Sequence, residues 1–231
     1  MRRVRTVLLA SALAAVLTAC APTTASPPPV EAAGDDRPVV AFYGDSYTRG
    51  TGASSPDLRW STIICTDRGW TEINRSENGL GFVNRRDRMG AGLDDIPAQI
   101  IADDPDIVFV TMGLNDNFSY DAAADRIRAT IDRDLTRLDT ELPDARIIVV
   151  EPFWYTAERP ASVDVIIGWV RDAAARIDAD WIPGASRWLD GHYAGSPEDW
   201  IAADGLHPND AGYAEFATRM DAALRALDPP L

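Results

Sequence analysis

The chain contains no lysine: all 22 basic residues are arginines, set against 36 acids, for a formal charge of −14. So acidic a surface repels phosphate backbones and anionic lipid, which argues against nucleic acid as a partner. We read the excess charge as a solubility device rather than a binding signal. Histidine and cysteine are scarce, with two of each in 231 residues. The two cysteines allow one disulfide at most, and none if Cys20 is modified. No apolar run is long enough to remain as a membrane-spanning helix; the longest, residues 7–18, is too short to cross a bilayer. Hydrophobic and charged fractions of 46% and 25% are those of an ordinary globular protein, and the length suggests a single domain.

The N-terminus reads as an export signal. Residues 1–6 are basic, residues 7–18 are apolar or small, and Leu17-Thr18-Ala19-Cys20 follows. A cysteine after a Leu-x-Ala ending resembles the bacterial lipobox. That resemblance implies a signal peptide over residues 1–19 and Cys20 as a lipidated mature N-terminus, anchoring the protein to a membrane outside the cytoplasm. The alternative is ordinary signal cleavage with Cys20 left unmodified. Residues 21–36 (APTTASPPPVEAAGDD) are small and proline-rich, cannot build a packed face, and are expected to form a tether. The folded domain is expected over residues 37–231. Cys65 sits in an apolar helical stretch with Trp60, Ile63 and Ile64 and is expected to be a small buried hydrophobe.

Within the domain, strand and helix patterns alternate. Apolar, β-branched runs predict strands at 38–43, 107–112 and 146–150, with weaker ones at 71–74 and 181–182. Helices are predicted over 58–67, 96–102, 122–142 and 162–177, the last capped by Ser162, and from Asn209 to about residue 227. In the long helix, Ile127, Ile131, Leu135 and Leu138 recur at helical spacing. Trp169 and Trp181 are expected in the core. The strands are apolar throughout rather than alternating, which means cover on both faces. Together these features give an α/β fold, a three-layer α/β/α sandwich around a parallel sheet.

Ligands in such folds bind beyond the carboxyl ends of the strands. The first strand ends in Gly44-Asp45-Ser46 and the third in Gly113-Leu114-Asn115-Asp116. The turn before the last helix is Asp204-Gly205-Leu206-His207-Pro208. A hydroxyl, a carboxamide, a carboxylate and an imidazole thus converge on one edge, and these are the groups that acyl transfer needs. Serine is a weak nucleophile until a base takes its proton, and imidazole suits that task. The imidazole needs an acceptor to fix its tautomer, which Asp204 can supply from three residues away. The oxyanion needs fixed donors, and the Asn115 amide, the Ser46 N–H and a glycine N–H can provide them.

These blocks resemble the SGNH (GDSL-like) hydrolase family: GDS at 44–46, a glycine-bearing turn at 74–79, GxND at 113–116 and DxxHP at 204–208. The resemblance covers the domain from residue 39 to the final helix. It implies a flavodoxin-like sheet of about five strands, hydrolysis of esters or thioesters, and no metal or cofactor. Ser46, Asp204 and His207 would be catalytic, and Ser46, Gly79 and Asn115 would form the oxyanion hole. The sequence departs from the family pattern in two places. Tyr47 follows the serine where leucine is common, and Ser76 replaces a glycine in the second block, leaving Gly81 as a rival to Gly79. Asp45 and Asp116 are expected to be structural, and His192, in a glycine-rich loop, to be exposed. Phe153-Trp154-Tyr155, after the fourth strand, either packs a substrate or covers the sheet end. The expected substrate is a small-molecule, glycan or lipid ester.

Overall fold

The computed structural model describes residues 36–88 and 95–231. The expected signal peptide, the Cys20 lipidation site and the tether up to residue 35 lie outside the described residues. Five parallel strands make one sheet in the order β2-β1-β3-β4-β5. They are β1 (Val39–Gly44), β2 (Thr71–Asn74), β3 (Ile107–Thr111), β4 (Arg146–Val150) and β5 (Asp180–Ile182). The helices that follow are α1 (Ser46–Arg49), α2 (Trp60–Arg68), α3 (Ile96–Asp103), α4 (Tyr120–Glu141), α5 (Ala161–Arg176) and α6 (Asp210–Arg225). The connection from β2 passes over β1 to reach β3, so the strand order reverses between β1 and β3, the place where sheets of this kind open a crevice above the carboxyl ends of their strands.

The uniformly apolar strands are explained by their two covered faces. Val40 and Phe42 of β1, with Phe109, Ile148 and Val150, pack against Trp60 and Ile64 of α2 and Phe216 and Met220 of α6. Ala41 and Tyr43, with Val108, Val110 and Val149, pack instead under α3, α4 and α5. The four apolar positions of α4 predicted from spacing are all fully buried on that side. On the first face the packing is largely aromatic. Phe42 stacks on Phe109 at 5.1 Å, Trp60 meets Phe42 edge-on at 5.4 Å, and Phe153 lies 4.9 Å from Phe216.

Three expectations need correction. The helix expected to be capped by Ser162 starts at Ala161 after Pro160, with no side-chain cap; Ser162 Oγ instead donates to Asn117 Oδ1 at 2.5 Å. Trp169 and Trp181 are half-buried at the rim of the core, because α5 and the edge strand β5 each leave one side open. His192 is half-buried rather than exposed: its ring stacks on Trp200 at 3.4 Å. Asn209 does cap α6, accepting from the Gly212 N–H, and Cys65 is buried.

Phe109 sits at the centre of the aromatic layer, with Phe42, Trp60 and Trp70 around it. Phe109→Ala is expected to cost about 3–5 kcal/mol, a large share of a typical total of about 5–15 kcal/mol. Urea unfolding should show a lower midpoint with an unchanged slope.

Candidate active site

The nucleophile turn is built by β1 and its cap. Asp45 is the N-cap of α1, its Oδ1 accepting the Tyr47 N–H at 2.9 Å, so Ser46 becomes the first helical residue. The first-turn N–H groups of a helix have no partner within it, and among the described residues the Ser46 N–H donates to none. Thr48 Oγ1 lies 2.6 Å from Thr111 Oγ1, tying this turn to the end of β3.

The imidazole arrives on a loop closed at its base. Ile201 and Pro208 form an antiparallel bridge, and the Ala202 N–H donates to the His207 carbonyl at 2.7 Å. Within the loop, Asp204 Oδ1 accepts the N–H groups of Leu206 and His207, at 2.9 and 3.0 Å. Its Oδ2 lies 2.7 Å from His207 Nδ1, and His207 Nε2 lies 2.9 Å from Ser46 Oγ. One carboxylate therefore shapes the turn and orients the ring. Burial pushes the Asp204 carboxyl up, but its hydrogen bonds to His207 and Leu206 outweigh this and bring it down to about 2. It is thus a fixed anion at neutral pH. The Tyr47 hydroxyl crosses to this loop, donating to the Leu206 carbonyl at 2.6 Å, with its ring 5.8 Å from the imidazole. Tyrosine at this position therefore ties the nucleophile turn to the histidine loop.

The opposite wall is the segment after β2. It extends the β1 pairing, with Arg75 N–H to the Phe42 carbonyl and Glu77 N–H to the Gly44 carbonyl, each 3.1 Å. This brings Gly79 alongside the nucleophile turn. Gly79 has φ +74°, a conformation open to glycine, and its N–H donates to no group among the described residues. The Gly81 N–H is taken by the Asn84 carbonyl at 3.0 Å, which removes Gly81 as the rival donor. Gly81 is small for another reason: a Cβ there would stand 2.5 Å from Asp116 Oδ1. Asp116 is fully buried and accepts three backbone N–H groups, from Phe82, Val83 and Asn84, at 2.7–3.1 Å. Burial holds its carboxyl above the usual carboxylate range, with these three bonds acting against the rise. Next to it, Asn115 directs Nδ2 to the Leu80 carbonyl at 3.0 Å and to Asp45 Oδ2 at 3.3 Å.

The structure thus brings Ser46, His207 and Asp204 into contact and sets Asn115 against Asp45, the residue before the serine. It does not bring Phe153 or Trp154 to the crevice. Phe153 stacks under Tyr47 at 5.7 Å, and Trp154 Nε1 is bound to Thr156 and Glu158. Tyr155 is half-buried against Trp154. Asp116 is structural, as expected from the sequence, whereas the role of Tyr47, noted there only as a departure from the family pattern, was not foreseen; its adjacency to the serine was the available signal. Among the described residues no group of three or more His, Cys, Asp or Glu could hold a metal ion.

Two outcomes follow from this geometry. Gly81→Ala is expected to displace the loop that carries Gly79, lowering kcat about a hundredfold and lowering the thermal midpoint. Asp204 has a depressed pKa, so its stabilising effect is full above the ordinary carboxylate range and fades as pH falls towards 2. The stability gap between wild type and Asp204→Asn, measured by thermal melts, is expected to close over that acid window.

The sequence profile of the GDSL-like Lipase/Acylhydrolase family matches residues 42–215. A GDSL lipase of Mycobacterium tuberculosis is 29% identical over 195 residues, covering 78% of this chain and 79% of its own. Among solved structures, the psychrotrophic esterase EstA from Pseudoalteromonas sp., inhibited by monoethylphosphonate, superposes with a TM-score of 0.63 at 14% identity, covering 82% of this chain and 97% of its own. The salicylyl-acyltransferase SsfX3 from a tetracycline biosynthetic pathway also gives 0.63 at 20% identity, covering 83% of this chain and 55% of its own. These two share the fold. With the strand order, the crevice and the family match in agreement, the chain belongs to the GDSL-like lipase/acylhydrolase family and is a serine hydrolase acting on ester bonds.

Proposed function

We propose that the protein is an extracytoplasmic esterase that works through an acyl-enzyme on Ser46. The observation that carries this reading is the unbroken chain from Ser46 Oγ to His207 Nε2 at 2.9 Å and from Nδ1 to Asp204 at 2.7 Å. The N–H groups of Ser46 and Gly79 have no partner among the described residues, and the Asn115 amide lies beside Asp45. Ser46 Oγ attacks the ester carbonyl while His207 takes its proton. His207 then returns the proton to the leaving alcohol, and water, deprotonated by the same imidazole, releases the acid. Asp204 stabilises the imidazolium, and the N–H groups of Ser46 and Gly79 with the Asn115 amide hold the oxyanion.

The Asp204 side chain is 45% exposed, against 13% for His207. The imidazole is therefore open to solvent on its Asp204 side, while Ser46 itself is buried. Export and a lipid on Cys20 belong to the same proposal and are supported by the basic, apolar and Leu-Thr-Ala-Cys segments of the first 20 residues. Mass spectrometry of the mature N-terminus tests that part: recovery of unmodified Cys20 would overturn it.

For the chemistry, Ser46→Ala and His207→Ala are each expected to bring ester hydrolysis near background, and the double variant to be little worse than either. Asn115→Ala is expected to cost about 2.7–4 kcal/mol of transition-state stabilisation, roughly a hundred- to a thousandfold in kcat with little change in KM. Initial rates on p-nitrophenyl esters, with fluorophosphonate labelling of Ser46, are the measurements. A folded Ser46→Ala enzyme with wild-type turnover would overturn the proposal.

A further inference from the structure

Asp45 caps the nucleophile helix, yet its second oxygen has a different neighbour. The side chain is fully buried, Oδ1 is held by the Tyr47 N–H, and Oδ2 lies 3.3 Å from Asn115 Nδ2. An amide nitrogen has two protons. One of those on Asn115 is directed to the Leu80 carbonyl at 3.0 Å, leaving one to be shared between Asp45 and an incoming oxyanion. We propose that Asp45 is a positioning residue that gates the oxyanion hole. When neutral it leaves the second Asn115 proton to the oxyanion, and when ionised it draws that proton away and sets a negative charge behind the hole. The inference rests on the reading of Asn115 as an oxyanion donor.

The surroundings favour the neutral form. Among the described residues, the titratable groups bearing on Asp45 are the Asp116 carboxylate after β3, the Tyr47 phenol on its own helix and the Tyr213 phenol of α6, with no arginine beside them. A carboxylate with no cation, beside another carboxylate and out of water, is costly to ionise. Burial, with the Tyr47 N–H acting against it and Asp116 adding to it, lifts the Asp45 carboxyl to about 7. Ionisation therefore falls close to neutral pH. An anion there acts on the transition state rather than the ground state, because only the transition state carries the opposing charge. The effect belongs in kcat rather than KM.

The experiment is the pH dependence of kcat and KM for the full chain on p-nitrophenyl acetate, from about pH 5 to about pH 9, for wild type and Asp45→Asn. In wild type kcat is expected to fall by about tenfold or more above neutrality, with KM moving less than about twofold. Asn at position 45 keeps an acceptor for the Tyr47 N–H but cannot ionise, so the falling limb is expected to vanish whatever the height of the plateau. A wild-type kcat that stays level to the alkaline end overturns the proposal without reference to any variant, so a misfolded Asp45→Asn does not protect it. A falling limb that persists in folded Asp45→Asn overturns it equally. Absence of both ester turnover and fluorophosphonate labelling in wild type would instead remove the Ser46 mechanism, and this proposal with it.

Discussion

The three hydrogen bonds that Asp116 accepts hold the rest of the site in register. The segment around residues 79–84 belongs to neither helix nor strand, so its backbone N–H groups need partners from elsewhere. A single buried carboxylate supplies three of them. Because Asp116 follows Asn115, the side chain that clamps this loop and the side chain proposed as an oxyanion donor are carried by one short stretch at the end of β3. Gly81 admits the carboxylate by having no side chain, and the Asn84 amide adds a bond to the Gly79 carbonyl at 2.8 Å. The clamp sets the distance between the two walls of the crevice.

The same loop is held from its far side by a buried ionic cluster. The Tyr43 hydroxyl donates to Asp134 Oδ2 at 2.8 Å, and Arg86 pairs with the same carboxylate. Asp134 is inside α4 and almost fully buried, so removal of either partner would leave a charge poorly satisfied. Arg86 also donates to the Phe82 carbonyl at 3.2 Å, which carries the restraint from α4 into the loop. An all-arginine complement suits such contacts, since guanidinium offers several donors in a fixed plane.

The histidine loop depends on other contacts. It lies far along the chain from the serine, and its own closure orients Asp204 and His207 but does not place them over Ser46. Placement comes through Tyr47, whose ring belongs to the aromatic layer and whose hydroxyl reaches the Leu206 carbonyl. Tyr213 adds a second tie, donating to the Thr51 carbonyl at 2.7 Å. Phe153 is drawn into the core by this arrangement, since it fills the space between Tyr47, Trp188 and Phe216. The fit of the triad is thus continuous with the packing of one face of the sheet.

The amino-acid sequence by itself determined the strands, the alternation with helices and the edge on which Ser46, Asn115, Asp204 and His207 meet. Those features follow from local periodicity and from the rule that parallel strands present their carboxyl ends together. The Asp204–His207 contact was also legible, because three residues in a tight turn fix it locally. Only the tertiary structure decided between Gly79 and Gly81, since the choice turned on which N–H was already taken by Asn84. Likewise, it alone put Phe153 and Trp154 in the core, set His192 against Trp200, and gave Tyr47, Asp45 and Asp116 their tasks. Each of these depends on contacts between residues distant in sequence or on the partners already claimed by neighbouring groups, and a linear pattern of residue types carries no record of which hydrogen-bonding group is already satisfied.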